Sequence, residues 1–454
     1  MNLVRAVAVV LWIVTFATPT AGAIDFDDTF VDATLRVDLY LVGNAEAERV
    51  VLDRLIHYPG WAGPVHGAVD PGVSGRFVAR LVAPDGGATL YRYGFDSLFG
   101  EYQTTDPARS GTWRVFHESV LLPYPRRTVR LIVSHTAPDG ADQVLLDTVI
   151  DPGTDGIVAG RPRPGVRVIE HHVVGPPSTT LDIAIIGEGY TVDDIALFRA
   201  DLARFGDLLL SQQPYADARD RISVRGVLLP SDEPGCDEPT RGIWRDTALG
   251  ASFNTLGSPR YLLTESNRDL RDIAANAPYD ALIIMINHER YGGGGIFNRY
   301  CSFTAHGPFA GYLMLHEFGH SFGGLADEYY TSSTSYTDFY PAGFEPVEPN
   351  ISATADRAAI KWADLISPET PMPTPWGKAQ FDRADIGYQE VRRSLDRAIA
   401  RAAKSGTMQI VRDLLTRTAE AHAADRVNAV DRFMADSGLL GTVGAFEGAG
   451  YVSQ

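Results

Sequence analysis

The stretch YLMLHEFGHSFGGLADEYY, Tyr312 to Tyr330, sets two histidines four residues apart with a glutamate between them. Four residues is just over one helical turn, so His316 and His320 share a helix face and both imidazoles can bind one ion. Glu317 projects beside them, placed to hold a water and take its proton. Zinc in such a site lowers the pKa of a water towards ~7 and makes a nucleophile available at neutral pH. The apolar approach GPFAGYLML would bury the helix, and Gly323-Gly324 would end it and turn the chain back. The plainer explanation, two core histidines each satisfied by hydrogen bonds, leaves the adjacent Glu and the acids downstream without a purpose.

A third ligand is needed. The spacing HExxHxxGxxH would take a third histidine, but that position is Ala326. Asp327 and Glu328 follow it directly. A glutamate from a later helix is the other arrangement, yet Glu345 and Glu348 lie in GFEPVEPN, where the prolines forbid a helix. A ligand just past the glycine turn is expected, which leaves Asp327 and Glu328.

Upstream of the motif the pattern is mixed α/β. LDIAIIGEGY and RISVRGVLLP read as buried strands, with a helix over TVDDIALFRADLARFGDLLLSQ between them. YDALIIMINHERYGGGGIF reads as a further strand entering a glycine-rich segment. There Gly293, Gly294 and Gly295 are candidate substrate-binding residues, an exposed edge whose backbone can pair with an extended peptide; a plain turn is the alternative. Downstream, two Arg- and Ala-rich segments broken at Ser405-Gly406 suit a helical hairpin over about 382–434.

Residues 24–150 differ. ATLRVDLYLVG, GRFVARLVAP, TWRVFHESVLL and RTVRLIVSHTAP are short alternating runs separated by turn clusters, the pattern of a β-sandwich. Residues 151–180, rich in Gly and Pro, read as a linker, and 181–454 as the α/β unit.

The first 23 residues carry one Arg, an apolar run from Ala6 to Phe16 and a small-residue end at Ala21-Gly22-Ala23. That is a signal peptide cut after Ala23, and the expected location is secreted or periplasmic. No other run is long and apolar enough to cross a bilayer. A net charge of −17 over 454 residues argues against nucleic acid and anionic membrane as partners. The two cysteines, Cys236 and Cys301, suggest one disulfide in an exported chain; two buried free thiols are the alternative.

With these residues in view, the chain resembles the M64 family of zinc metallopeptidases, the IgA-peptidase family. HEFGHSFGGLADEYY, LDIAIIGEGYT, YGGGGIFN, EPVEPNI with IKW, and VGAFEGAGY carry the resemblance, and FVDATLRVDLYLVGNAE is similar to the family's N-terminal β domain. It implies a zinc-dependent endopeptidase acting on a protein or peptide, with a metzincin-like α/β catalytic domain. His316, His320 and the aspartate at Asp327 would be ligands and Glu317 the general base. Asp327 also has the shorter arm, suited to a backbone passing close to the ion. Tyr451 in EGAGY is a candidate oxyanion donor, as in related metallopeptidases, with packing as the alternative. The helical hairpin exceeds the minimal family pattern and reads as a subgroup insertion. A reading from another class is an adhesion protein whose β module binds a surface and whose metal site is structural or inert. The adjacent Glu317 favours the enzyme, since a structural zinc usually takes four protein ligands.

Overall fold

The computed structural model describes residues 25–454 except 67–68, 70–74, 137–141, 155, 329–342, 439–440 and 449–450. The expected signal peptide, and the end of the opening motif at Tyr329 and Tyr330, lie outside the described residues.

Strands β1 (Phe30–Gly43), β2 (Glu48–Pro59), β3 (Phe77–Val82), β4 (Thr89–Phe95), β5 (Arg114–Pro125), β6 (Val129–Thr136), β7 (Asp142–Ile150) and β8 (Ile157–Ala159) form two four-stranded sheets. Their orders are β5-β1-β2-β8 and β4-β3-β6-β7. Alternation puts every second residue inside: Leu35, Val37, Leu39 and Leu41 of β1 meet Phe77, Ala79 and Leu81 of β3 in one core.

Residues 151–180 are not the plain linker that their Gly and Pro content suggests. Their β-branched pairs form edge strands: β8 joins β2 in parallel, and β9 (Arg167–His172) joins the second domain's sheet antiparallel. The glycines and prolines only turn the chain between them.

The second domain's sheet adds β10 (Leu181–Glu188), β11 (Ile222–Leu228), β12 (Ala281–Ile286), β13 (Gly293–Ile296) and β14 (Tyr300–Thr304), in the order β13-β14-β12-β10-β11-β9. The four central strands are parallel and the two edges antiparallel. Central strands buried on both faces must be apolar throughout, which is why LDIAIIGE and ALIIMI do not alternate. Ile183, Ile185, Ile283 and Met285 face helices α1 (Ile195–Ser211) and α3 (Ala310–Gly323). Ala184, Ile186, Ile284 and Ile286 face α2 (Asn267–Ala274) and a core that runs on into the sandwich.

The same alternation removes the expected disulfide. Cys236 packs with Ala184, Ile186, Ile284 and Ile286, and Cys301 of β14 with Ile183, Ile185, Ile283 and Met285. The sheet lies between the two thiols, and both are free and buried.

Charged contacts dock the sandwich on the second domain. Arg36, 1% exposed, reaches Asp272 at 2.6 Å, and Arg268 reaches Asp53 at 2.5 Å and the Tyr40 hydroxyl at 2.6 Å. Arg299 pairs with Glu118 in the interior. Such pairs fix orientation more than they add stability.

Helices α4 (Lys378–Lys404) and α5 (Gln409–Ser437) form the hairpin. Arg426 pairs with Asp385 at 2.6 Å, His422 stacks on Tyr388, and Phe433 closes on Phe381, so the helices run antiparallel. The chain returns through a small sheet, β15 (Ile351–Ser352), β16 (Phe446–Glu447) and β17 (Val452–Ser453), in the order β15-β17-β16.

Candidate metal centre

Helix α3 buries Ala310, Leu313, Met314, Phe318 and Ser321 at three- and four-residue spacing, together with one charged side chain, Glu317. It stops where Gly324 adopts the left-handed conformation, φ +62°, its N–H returning to the helix's last carbonyls. Leu325 N–H then bonds Gly319 O at 3.2 Å, folding the chain back under the last turn.

This return brings three candidate ligand atoms together. His316 Nε2 and His320 Nε2 are 3.2 Å apart, and Asp327 Oδ1 lies 3.2 Å from the first and 3.1 Å from the second. A tetrahedral ion bound at ~2.0–2.1 Å requires ligand atoms about 3.3 Å apart. The triangle therefore fits zinc. His320 Nδ1 lies 2.6 Å from Leu325 O, and since a carbonyl only accepts, Nδ1 carries a proton and Nε2 is the ring nitrogen left to face an ion. Glu317 places a carboxylate oxygen within 4.8 Å of both ligand nitrogens.

Electrostatics follow from burial. Glu317 is 8% exposed; burial, with the nearby Asp327 charge, outweighs the two imidazoles and pushes its pKa up to about 7. Burial works against the charge of Asp327 too, but His316 and His320 hold its carboxyl well below the usual range. Burial likewise opposes protonation of His320, and the Asp327 carboxylate overrides it, raising the pKa to about 9.

Asp327 and Glu328 part company. Glu328 turns away and accepts from Asn350 Nδ2 at 2.8 Å. The glycines of β13 serve packing first. A Cβ on Gly293 would fall 3.1 Å from Glu317 Cγ, and one on Gly295 only 2.4 Å from Glu317 O and 2.8 Å from His320 Cβ. Gly294 faces the other way, onto the Tyr261 ring. Nor is Gly293 an open edge: its N–H and C=O are taken by Arg260 O and Leu262 N, both at 3.2 Å. Of the three, only Gly295 is more than marginally exposed. Tyr451 is placed by packing with Ala326 and Ile351, below the ligand loop.

Several neighbours were missed in the sequence. Tyr312 stacks on His316, centroids 5.7 Å apart; its place one turn before that histidine was the available signal. Burial, aided by the charges of Glu317 and Asp327 and opposed by that of Arg260, pushes the Tyr291 pKa up to about 12. Asn350 and Tyr261, whose hydroxyl donates to Glu101 of the sandwich, gave no local pattern. A second cluster, Asp38, Asp53 and His117, is already neutralised by Arg36, Arg54 and Arg268 and is no cation site.

Among the described residues no helix is long and apolar enough to cross a membrane. No curated protein matches the chain. A family model described as IgA Peptidase M64 matches residues 169–454, and one described as Peptidase M64 N-terminus matches residues 25–145. With both of its parts matched, the chain belongs to the M64 family of peptidases.

Proposed function

We propose that this M64 peptidase is an exported zinc-dependent endopeptidase, with His316, His320 and Asp327 as ligands and Glu317 as general base. One observation carries the reading: His316 Nε2, His320 Nε2 and Asp327 Oδ1 stand 3.1–3.2 Å apart beside the buried carboxylate of Glu317. Bound zinc would supply Lewis acidity, drawing electron density from a water and from the scissile carbonyl. Glu317 takes the proton of the attacking water and delivers it to the leaving amine. Gly295 offers backbone to an extended peptide at the edge of β13, next to the helix that carries Glu317. This antiparallel edge over the metal helix supports the metzincin-like architecture, and the hairpin fits a subgroup insertion. Tyr451, packed under Ala326, braces the ligand loop, and the oxyanion role gains no support from its place. The adhesion reading gains none from the family match.

The test is zinc removal and return with a peptide-library assay, together with Glu317→Gln. Activity should vanish with a chelator and return with zinc. Glu317→Gln should hold zinc as tightly and lose 10²–10⁴-fold in kcat. A fully zinc-loaded Glu317→Gln protein that cleaves as well as the parent would overturn the mechanism.

A further inference from the structure

Asn298 stands in the turn between β13 and β14 with φ +55°, a left-handed conformation that asparagine tolerates better than most residues. The turn lies where the sandwich meets α3, and Asn298 bonds to both. Its N–H donates to Ser321 O at 2.8 Å. Ser321 follows His320 directly in the last turn of α3, and its carbonyl is one that the helix leaves without an internal partner.

On its other side the turn is tied to β4, the outer strand of its sheet, whose edge groups need partners. Asn298 Nδ2 donates to Gly94 O at 2.7 Å, and the Tyr93 hydroxyl donates to Asn298 O at 2.7 Å. Asp96 N–H, just past the strand, donates to Phe297 O at 3.0 Å. The sandwich therefore grips the side chain and carbonyl of a residue whose N–H grips the helix. β13 adds a second bridge. Gly294 packs on the Tyr261 ring, whose hydroxyl donates to Glu101 of the sandwich, while Gly295 lies against Glu317 O and His320 Cβ.

Helix ends fray, and His320 sits three residues from the end of α3, one turn nearer to it than His316. Ligand atoms 3.1–3.2 Å apart keep that spacing only where their backbone is held to within about 0.5 Å. We propose that Asn298 is a positioning residue for the metal centre, through which the sandwich holds the last turn of α3 and keeps His320 in register with His316 and Asp327. The sandwich is then part of the support of the site and not a separate binding module. This rests on the zinc-site reading above, but its readout is metal affinity and not turnover.

The test uses the full chain with single substitutions. Tyr93→Phe removes only the hydroxyl that reaches Asn298 O. Asn298→Gly keeps the left-handed turn and the N–H to Ser321 O but loses the donor to Gly94 O. Arg114→Gln is the control: it breaks the exposed pair with Glu265 at 2.8 Å, another contact between the two domains. Competition with a chelating dye should show zinc affinity about tenfold lower in Tyr93→Phe and in Asn298→Gly, the low end for support removed from a metal ligand. Arg114→Gln should bind zinc as the parent does. Cobalt(II), which takes the same donors, should give an altered visible spectrum in the first two variants and the parent's spectrum in the control. Parent affinity and spectrum in both Tyr93→Phe and Asn298→Gly overturn the proposal. So does an equal loss in Arg114→Gln, which would trace the effect to a looser domain interface in general. Should Asn298→Gly fail to fold, Tyr93→Phe, short of one oxygen, still decides. A parent that binds zinc and cleaves no peptide, with the affinity losses intact, leaves the positioning role standing and removes the peptidase reading.

Discussion

The side-chain amide of Asn350 bonds the backbone of Ala326 in both directions, accepting from its N–H at 2.7 Å and donating to its carbonyl at 3.0 Å. The same nitrogen donates to Glu328 Oε1 at 2.8 Å. Asp327 is therefore held between two residues that one buried side chain fixes. Such a clamp orients a ligand without touching the ion.

Asn350→Ala should free the ligand loop. Zinc affinity is expected to fall 10–100-fold, as it does when supports of metal ligands are removed. Lost buried hydrogen bonds should cost about 1–3 kcal/mol of stability as well. Competition with a chelating dye, beside a denaturant titration, separates the two. An unchanged affinity would show that the loop holds its shape without the clamp.

Asp327→Ala should strip zinc far more effectively than Glu328→Ala. Only Asp327 approaches both imidazoles, at 3.1 and 3.2 Å, whereas Glu328 is engaged with Asn350. Metal titration of the two variants decides it, and the reverse order would move the third ligand to Glu328.

The helix that carries His316, Glu317 and His320 was legible because its signals are local: the three sit within one turn and a half, and Gly324 marks the stop. The sandwich strands and the apolar central strands were legible from their period for the same reason. What spacing could not resolve was anything decided by a partner far along the chain. Glu328 is turned from the histidines by Asn350, 22 residues away. The role given to Gly293 failed because Arg260 and Leu262 already occupy its edge. The disulfide failed because cysteine count carries no information about which face of a sheet each thiol joins.

Glycine substitutions should divide sharply by place. Gly295→Ala sets a methyl 2.4 Å from Glu317 O, a backbone atom of the metal helix that cannot swing aside. Strand and helix must separate, at a cost of about 1–3 kcal/mol. Gly387 lies inside α4 with nothing within 4 Å of its added Cβ. There alanine should stabilise by about 0.5–1 kcal/mol. Thermal melts of both variants check the pair, and a melting temperature for Gly295→Ala at or above the parent's would refute the close helix–strand contact.

The last expectation concerns pH and a group remote from the metal. Asp280 sits at the start of β12, where its Oδ2 accepts from Asp182 N–H at 2.8 Å. Burial raises its pKa from 3.8 to about 7; the bond from Asp182 opposes the rise and the Asp182 charge adds to it. The folded protein thus keeps a proton that the unfolded chain gives up. Where the folded state binds more protons, stability falls as pH rises. This contribution is whole below the unfolded value of 3.8, declines from there to about 7, and is gone above that. Asp280→Asn keeps an acceptor for the Asp182 N–H and has no proton to lose. The variant should therefore match the parent near pH 4 and exceed it at pH 8, with the gap opening between them. Denaturant titrations of both proteins across that range measure the gap directly. A difference that stays constant with pH would show that Asp280 keeps an ordinary pKa in the folded protein.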